Sequence, residues 1–122
     1  MNNTILLIED KAGLLDTLQR LLELHHYHVI TASNGEEGLL LARNYRPGLV
    51  ISDIYMPVLN GYQLLEKFQQ DELLCQIPVM IVSAKTAAEE INFAFEKGAA
   101  AYVTKPFLFA NLHENIKKLL SA

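Results

Sequence analysis

The sequence predicts an α/β fold: one doubly wound parallel sheet of five strands with helices on both faces. Short apolar runs recur at regular intervals, at Thr4–Ile8, Val29–Ala32, Leu49–Ser52, Val79–Ser83 and Ala101–Thr104. The first, third and fourth are nearly continuous in apolar character, as strands buried on both faces of a parallel sheet are. The stretches between them carry apolar residues at helical spacing. Strand–helix alternation at these lengths implies parallel strands joined by right-handed crossovers.

Each element has its own signature. The run "TILLI" ends at Glu9-Asp10, and Leu14, Leu18, Leu21 and Leu22 then form the stripe of a first helix. His25, His26 and His28 cluster at its end. Their spacing matches no familiar metal-ligand pattern, and cations at a helix end followed by a strand account for them. Ser33-Asn34-Gly35 offers cap residues ahead of Glu36 and Glu37, acids suited to a first helical turn. Leu39, Ala42 and Tyr45 make this second helix's stripe, and Pro47 and Gly48 stop it. After the third run come Asp53, Pro57, a turn at Asn60-Gly61, and a third stripe of Leu64, Leu65 and Phe68. Cys75, in the loop before Pro78, is expected as a plain buried or half-buried thiol. Ile91, Ala94 and Phe95 mark the fourth helix, with Gly98 placed as its C-cap glycine. Leu112, Ile116, Leu119 and Leu120 mark the fifth, with His113 on its surface. Phe107, Leu108 and Phe109 form an apolar trio ahead of it. One or two of them are expected to pack under the fifth helix, whereas an exposed Phe109 would mark a docking or dimer surface.

Composition bounds the function. A chain of 122 residues, half of them hydrophobic, makes one compact domain over 1–122 whose core needs no staples. A net charge of −4 argues against broad nucleic-acid binding, which needs clustered Lys and Arg. The single cysteine cannot form an internal disulfide, which suits a reducing compartment. The N-terminal "MNNTILLIEDK" lacks a basic region and its apolar run is too short for a signal peptide. No segment approaches a membrane span. A cytoplasmic protein is the expectation.

In an open parallel sheet, function gathers at the carboxyl ends of the strands, beside the point where the winding reverses. Four of the five runs end there in chemistry-bearing residues: Glu9-Asp10, Asp53, Ser83-Ala84 and Lys105-Pro106. Parallel strands would bring three carboxylates, a hydroxyl and an ammonium to one edge. Clustered acids repel and are costly to desolvate. A hard cation such as Mg²⁺, which takes oxygen ligands and keeps several waters, relieves both problems. Lys105 then supplies a compact charge for phosphoryl oxygens and Ser83 a hydrogen bond to one of them. Asp53 is left as a carboxylate nucleophile able to become an aspartyl phosphate.

Four segments carry a resemblance to a known family: Glu9-Asp10, "DIYMPVLNG" from Asp53, "IPVMIVSA" from Ile77 and "KGAAAYVTKPF" from Lys97. In this order, each at a strand end or the turn after it, they resemble the receiver domain of two-component response regulators. The resemblance covers essentially the whole chain. It implies a (βα)5 flavodoxin-like fold with strand order 2-1-3-4-5. It implies that Asp53 is the phosphoacceptor, that Asp10 binds Mg²⁺ directly (Mn²⁺ could substitute), that Glu9 acts through a metal-bound water, and that the Tyr55 backbone carbonyl is a further ligand. Ser83 matches the switch hydroxyl, Lys105 the phosphate-pairing lysine and Tyr102 the switch aromatic. A cis peptide is implied between Lys105 and Pro106. Three positions depart from the commonest pattern without removing a required group: Glu9 where Asp is commoner, Ser83 where Thr is also frequent, and Lys11 after the acid pair. Tyr55 and Lys85, two residues past Asp53 and Ser83, match positions that line the site's mouth and tune the lifetime of the phosphoryl group.

The implied switch is a population shift. Phosphoryl transfer from a sensor histidine kinase, a phosphotransfer protein or a small phosphodonor adds charge at Asp53. Ser83 moves toward it and Tyr102 rotates inward. The face made by the fourth helix, fifth strand and fifth helix changes, with Glu89, Glu90, Lys97, Tyr102 and Phe109 as its candidate residues. Its readers would be a downstream effector, an attached output domain or, after phosphorylation, a second copy. A stand-alone receiver and one followed by an output domain are both compatible with the sequence. The domain itself is expected to bind neither nucleic acid nor membrane, and to be a regulatory phosphoacceptor rather than an enzyme.

The rival readings are weaker. A phosphatase or phosphotransferase with Asp53 as nucleophile commonly has a second Asp two residues on, where this chain has Tyr55. A nucleotide or flavin binder needs a phosphate loop after the first strand, where "IEDKAGLL" has acids. A docking module without phosphorylation has no use for the full set of acids, hydroxyl and lysine.

Overall fold

The computed structural model describes residues 2–121. Strands and helices alternate as β1 (Thr4–Ile8), α1 (Ala12–Leu24), β2 (His28–Ala32), α2 (Gly35–Tyr45), β3 (Leu49–Ser52), α3 (Gly61–Gln70), β4 (Val79–Ser83), α4 (Ala88–Glu96), β5 (Ala101–Thr104) and α5 (Phe109–Ser121). The strands are all parallel and lie in the order β2-β1-β3-β4-β5. This is the fold the sequence predicts. In register, Ile5 lies between Val29 and Leu49.

Alternation along the strands divides the core in two. Ile5 and Leu7 face α1 and α5, packing with Leu18, Leu22, Leu112 and Ile116. Leu6 and Ile8 face the opposite layer, packing with Leu39 and Ala42 of α2, Leu64, Leu65 and Phe68 of α3, and Ala94 of α4. A strand covered on both sides has no polar face, which is why β1, β3 and β4 read as unbroken apolar runs. Each fully buried Leu or Phe contributes roughly 1.5–3 kcal/mol over exposure. By that measure α3, which buries Leu64, Leu65 and Phe68, is firmly seated, whereas α4 fully buries only Ala94. The helix with least buried apolar area opens most readily.

The winding reverses at the middle of the sheet. The helix after β1 covers one face, and the helix after β3 covers the other. The chain therefore parts at the carboxyl ends of these two neighbouring strands and leaves a crevice there.

Several local expectations need correction. β2 begins at His28, one residue early, because His28 pairs with Thr4 and its N–H donates to the Asn3 carbonyl (3.1 Å). Tyr45 is exposed rather than in the α2 stripe. It is the last helical residue, and the chain turns away at Arg46, whose φ is +46°. Phe95 is likewise exposed. The short α4 meets the sheet through the small Ala94, and the ring one position on clears the contact. Cys75 is exposed because Leu74 takes the inward place in its turn.

Asn60-Gly61 is a helix start rather than a free turn. Asn60 caps α3 by accepting from the Gln63 N–H, and Gln63 answers with a hydrogen bond from the Asn60 N–H. His25 ends α1, its Nδ1 bonded to the Leu21 carbonyl (2.8 Å), as a helix-end residue should be. His113 is half-buried rather than a surface residue. Its ring centroid lies 4.7 Å from that of His25 and 5.5 Å from that of Phe109, and its Nε2 lies 3.0 Å from the Tyr27 hydroxyl. Burial, then His25 and Lys117, push its imidazole below the usual pKa. In the apolar trio, Phe107 and Phe109 pack against the core and Leu108 is exposed.

Among the described residues, three non-glycine ones, His26, Arg46 and Val58, have positive φ, and Val58 is the β-branched one among them. The Leu59 N–H donates to the Pro57 carbonyl (2.8 Å), closing a three-residue turn with Val58 at φ +72°. That is a rare and costly conformation for a β-branched residue. Glycine accepts it freely, at some cost in unfolded-state entropy. Val58→Gly is expected to raise the urea midpoint, with a net gain of about 1 kcal/mol.

Candidate functional site

The acids reach the crevice because the ladder runs one residue past the strands. The Glu9 N–H donates to the Ala32 carbonyl (3.0 Å) and the Asp53 N–H to the Ile8 carbonyl (3.3 Å). This fixes both backbones beside the end of β1. Glu9 and Asp53 are buried, at 3% and 6% exposure, and Asp10 is exposed. One carboxylate oxygen from each of the three lies within 4.8 Å of the others.

Lys105 comes from the far edge. The Lys105 N–H donates to the Ser83 carbonyl (2.8 Å), anchoring it beyond β5. Two strand spacings, roughly 10 Å, separate β5 from β3, and a long side chain must cross them. The Nζ does so, donating to Asp53 Oδ2 at 2.9 Å and Glu9 Oε1 at 3.0 Å. The other oxygen of each acid accepts a backbone N–H: Ile54 donates to Asp53 Oδ1 (2.6 Å) and Lys11 to Glu9 Oε2 (3.2 Å). Each buried carboxylate is thus held by one amide and the shared ammonium.

The electrostatics follow. Burial pushes the Glu9 carboxyl up, and Lys105 and the Lys11 amide offset this only in part. Burial pulls the Lys105 ammonium down, but its hydrogen bonds to Asp53 and Glu9 outweigh that and hold it above the ordinary lysine value. With the three acids ionised and Lys105 protonated, the cluster keeps two negative charges. Its donors are all oxygen. A charge of minus two with oxygen donors fits a hard divalent cation. No hydrogen-bond donor among the described residues reaches the Tyr55 carbonyl, so it too is open to a ligand.

Ser83, buried at the end of β4, accepts from the Lys85 N–H at its Oγ (3.2 Å). The Lys85 carbonyl in turn accepts from the Tyr102 hydroxyl (2.9 Å). Tyr102 is half-buried against the core and burial pushes its phenol up. Its ring therefore already lies partly inward. Tyr55, in the loop after Asp53, is exposed. Its hydroxyl donates to Glu90 Oε1 (2.7 Å), the Lys85 ammonium sits 5.3 Å from its ring centroid, and the bond to Glu90 pushes its phenol up to about 12.

The residues expected on the face of α4, β5 and α5 divide. Glu89 is exposed and Tyr102 half-buried. Glu90 is engaged by Tyr55. Lys97 turns to α3, pairing with Glu66 (2.6 Å) and lying 5.1 Å from the Phe93 ring centroid. Phe109 turns to His25 and His113.

Sequence reasoning missed the Ile54 amide, the Tyr55–Glu90 bond and the place of Gly61. The Gly61 N–H donates to the Ile54 carbonyl (2.7 Å), and a Cβ there would stand 2.7 Å from the Asp53 carbonyl oxygen. The glycine was visible in the sequence, but only as half of a turn pair.

A family model described as the response regulator receiver domain matches residues 5–117. The alkaline phosphatase synthesis transcriptional regulatory protein PhoP of Bacillus subtilis is 34% identical over 120 residues, which cover 98% of this chain and 49% of PhoP. Protein PilH of Pseudomonas aeruginosa is 35% identical over 117 residues, covering 96% of this chain and 97% of PilH. The chain therefore spans about half the length of one relative and nearly all of another. The crystal structure of a putative response regulator from Chloroflexus aurantiacus superposes with a TM-score of 0.94 at 28% identity and full coverage of both chains.

Gly61→Ala is expected to force the backbone of Asp53 and Ile54 apart from α3. The loss of stability should be about 1–3 kcal/mol, read as a lower urea midpoint.

Proposed function

The chain belongs to the response regulator receiver family, and from that premise we propose that Asp53 is its phosphoacceptor, served by Glu9, Asp10, Ser83 and Lys105. The chain is a receiver domain of two-component response regulators, a regulatory phosphoacceptor module. The observation that carries the site assignment is the ammonium of Lys105, 2.9 Å from an Asp53 oxygen where three acids converge.

The chemistry asks little of the protein beyond positioning and charge. An oxygen of Asp53 attacks the phosphorus of a phosphohistidine. The P–O bond forms, the P–N bond breaks, and the departing imidazole takes up a proton. Ile54 and Lys105 fix the carboxylate before the attack. Lys105 then pairs with a phosphoryl oxygen, and Ser83 donates to another. Asp10, Asp53 and the Tyr55 carbonyl would hold Mg²⁺, with Glu9 reaching it through a water, and Mn²⁺ would serve in its place. Bound there, the ion supplies positive charge against the incoming phosphoryl oxygens. The same groups assist loss of the phosphoryl group to water, so the domain takes part in its own reset.

Ser83 carries the signal outward. Turning toward a phosphoryl oxygen would loosen the bond that Ser83 accepts from the Lys85 N–H, and the Lys85 carbonyl is the partner of Tyr102. Lys85, in the loop between β4 and α4, is thus tied to the site through its N–H and to β5 through its carbonyl. The lightly buried α4 is the element most free to follow. The phosphoryl donor is a histidine kinase or a phosphotransfer protein. The altered α4, β5 and α5 face is read by an effector, an attached output domain or a second copy. Among the described residues no helix is long and apolar enough to cross a membrane, which is compatible with work in the cytoplasm.

Incubation with acetyl phosphate and Mg²⁺, followed by intact mass, tests the assignment. One phosphoryl group should be added, lost in Asp53→Asn and reduced when the metal is chelated. Labelling that persists in Asp53→Asn contradicts it.

A further inference from the structure

Far from the α4, β5 and α5 face, α2 and the loop after Asp53 enclose a groove of about 560 Å³. Its apolar walls are Leu39, Leu40 and Val58, and its rim carries Glu36, Glu37 and Arg43. Leu40 is 58% exposed in the middle of the helix, and Val58 is 71% exposed. Val58 is also the β-branched residue at φ +72°. The turn is fixed by the Leu59 N–H bond to the Pro57 carbonyl and by Leu59 packing on the core, and it turns the Val58 side chain to solvent beside Leu40.

We propose that this groove is an interface between two copies of the chain, paired through antiparallel α2 helices about a two-fold axis at Leu40. The pattern of charge selects this occupant. Glu37, Leu40 and Arg43 lie three apart, on one ridge of the helix surface. With the helices antiparallel about a two-fold axis at Leu40, residue 37 of one copy faces residue 43 of the other. The ridge is therefore complementary to itself, with Leu40 on Leu40 and an acid on an arginine at both ends, as an isologous interface requires.

The charged groups are placed to take a second partner. Arg43 uses its Nε on Asp71 (3.3 Å) and its side chain is 48% exposed, which leaves other guanidinium donors free. Glu37 holds the Ser33 N–H with Oε1 (2.7 Å) and has a second oxygen. Leu40 of each copy then fills the space between Leu40 and Val58 of the other. A single helix and one loop make a small interface, of the weak and transient class. It needs no phosphoryl group and leaves the α4, β5 and α5 face open.

Sedimentation velocity of the unmodified protein, from dilute to about 1 mM, reads the association directly. Wild type is expected to shift from monomer toward dimer, and Leu40→Glu to remain monomeric at unchanged urea midpoint. Glu37→Arg and Arg43→Glu should each weaken the dimer about tenfold or more, and the two together should restore it, since the two-fold pairs them. Val58→Gly should weaken association while stabilising the fold, separating the two effects. In a Cys75→Ser background, Leu40→Cys should form an intermolecular disulfide with oxygen and catalytic Cu²⁺ as oxidant. Wild type that stays monomeric at 1 mM with no Cys cross-link overturns the proposal. So does a double charge swap weaker than both single reversals, which would give the groove to a partner of different sequence.

Discussion

The site hangs on one ammonium between two buried carboxylates. Glu9 and Asp53 leave adjacent strands and are almost fully buried, an arrangement that costs several kcal/mol if nothing answers the charge. Lys105 answers it at 2.9 and 3.0 Å, from a strand two places from β3 and three from β1. That reach is possible only because β4 and β5 extend the sheet in register and the Lys105 amide is tied to Ser83. The parallel order of the strands is therefore the means by which distant parts of the chain come to share one charge balance. The balance is incomplete, because the exposed Asp10 and the second carboxylate charge remain unanswered by protein. The deficit is what a divalent cation, and then a phosphoryl group, can use.

Around this rigid centre the firmness of the structure is uneven. β1, β3 and β4 are covered on both faces, and α3 is seated by Leu64, Leu65 and Phe68. The loop between β4 and α4 is held instead by single hydrogen bonds, Lys85 to Ser83 and Tyr102 to Lys85, and the exposed Tyr55 by one to Glu90. A change of charge at Asp53 meets little resistance there and much resistance in the sheet. The bistable part of a receiver should be such a lightly held layer over a stiff one. The Tyr55–Glu90 bond adds a link from the loop after Asp53 directly to α4, separate from the path through Ser83.

The strands were legible because double coverage removes the polar alternation that would otherwise blur them. β2 lies at the sheet edge and is only partly covered, and it is the strand whose start the sequence misplaced. The site was legible because charged residues closing apolar runs are conspicuous, and because a parallel sheet sends all such ends to one side. The inward stripe of α5 and Ala94 of α4 were legible, but where the flanking residues turn was not. Phe95, Lys97 and Phe109 each had a plausible partner on two sides, and only packing decides between them: Ala94 sets the face of α4, and the His25–His113 cluster takes Phe109. Backbone partners such as the Ile54 amide leave no trace in side-chain identity, so their part in holding Asp53 could come only from coordinates.

The central claim, that Lys105 acts by neutralising Glu9 and Asp53, is open to a double-mutant cycle in metal-free urea unfolding. Lys105→Met should destabilise the wild type by about 3 kcal/mol or more, since it leaves two buried acids unpaired. In a Glu9→Gln, Asp53→Asn background the same substitution should cost less than about 1 kcal/mol. Equal losses in the two backgrounds would mean that the lysine holds the fold by packing alone, and the charge balance described here would be wrong.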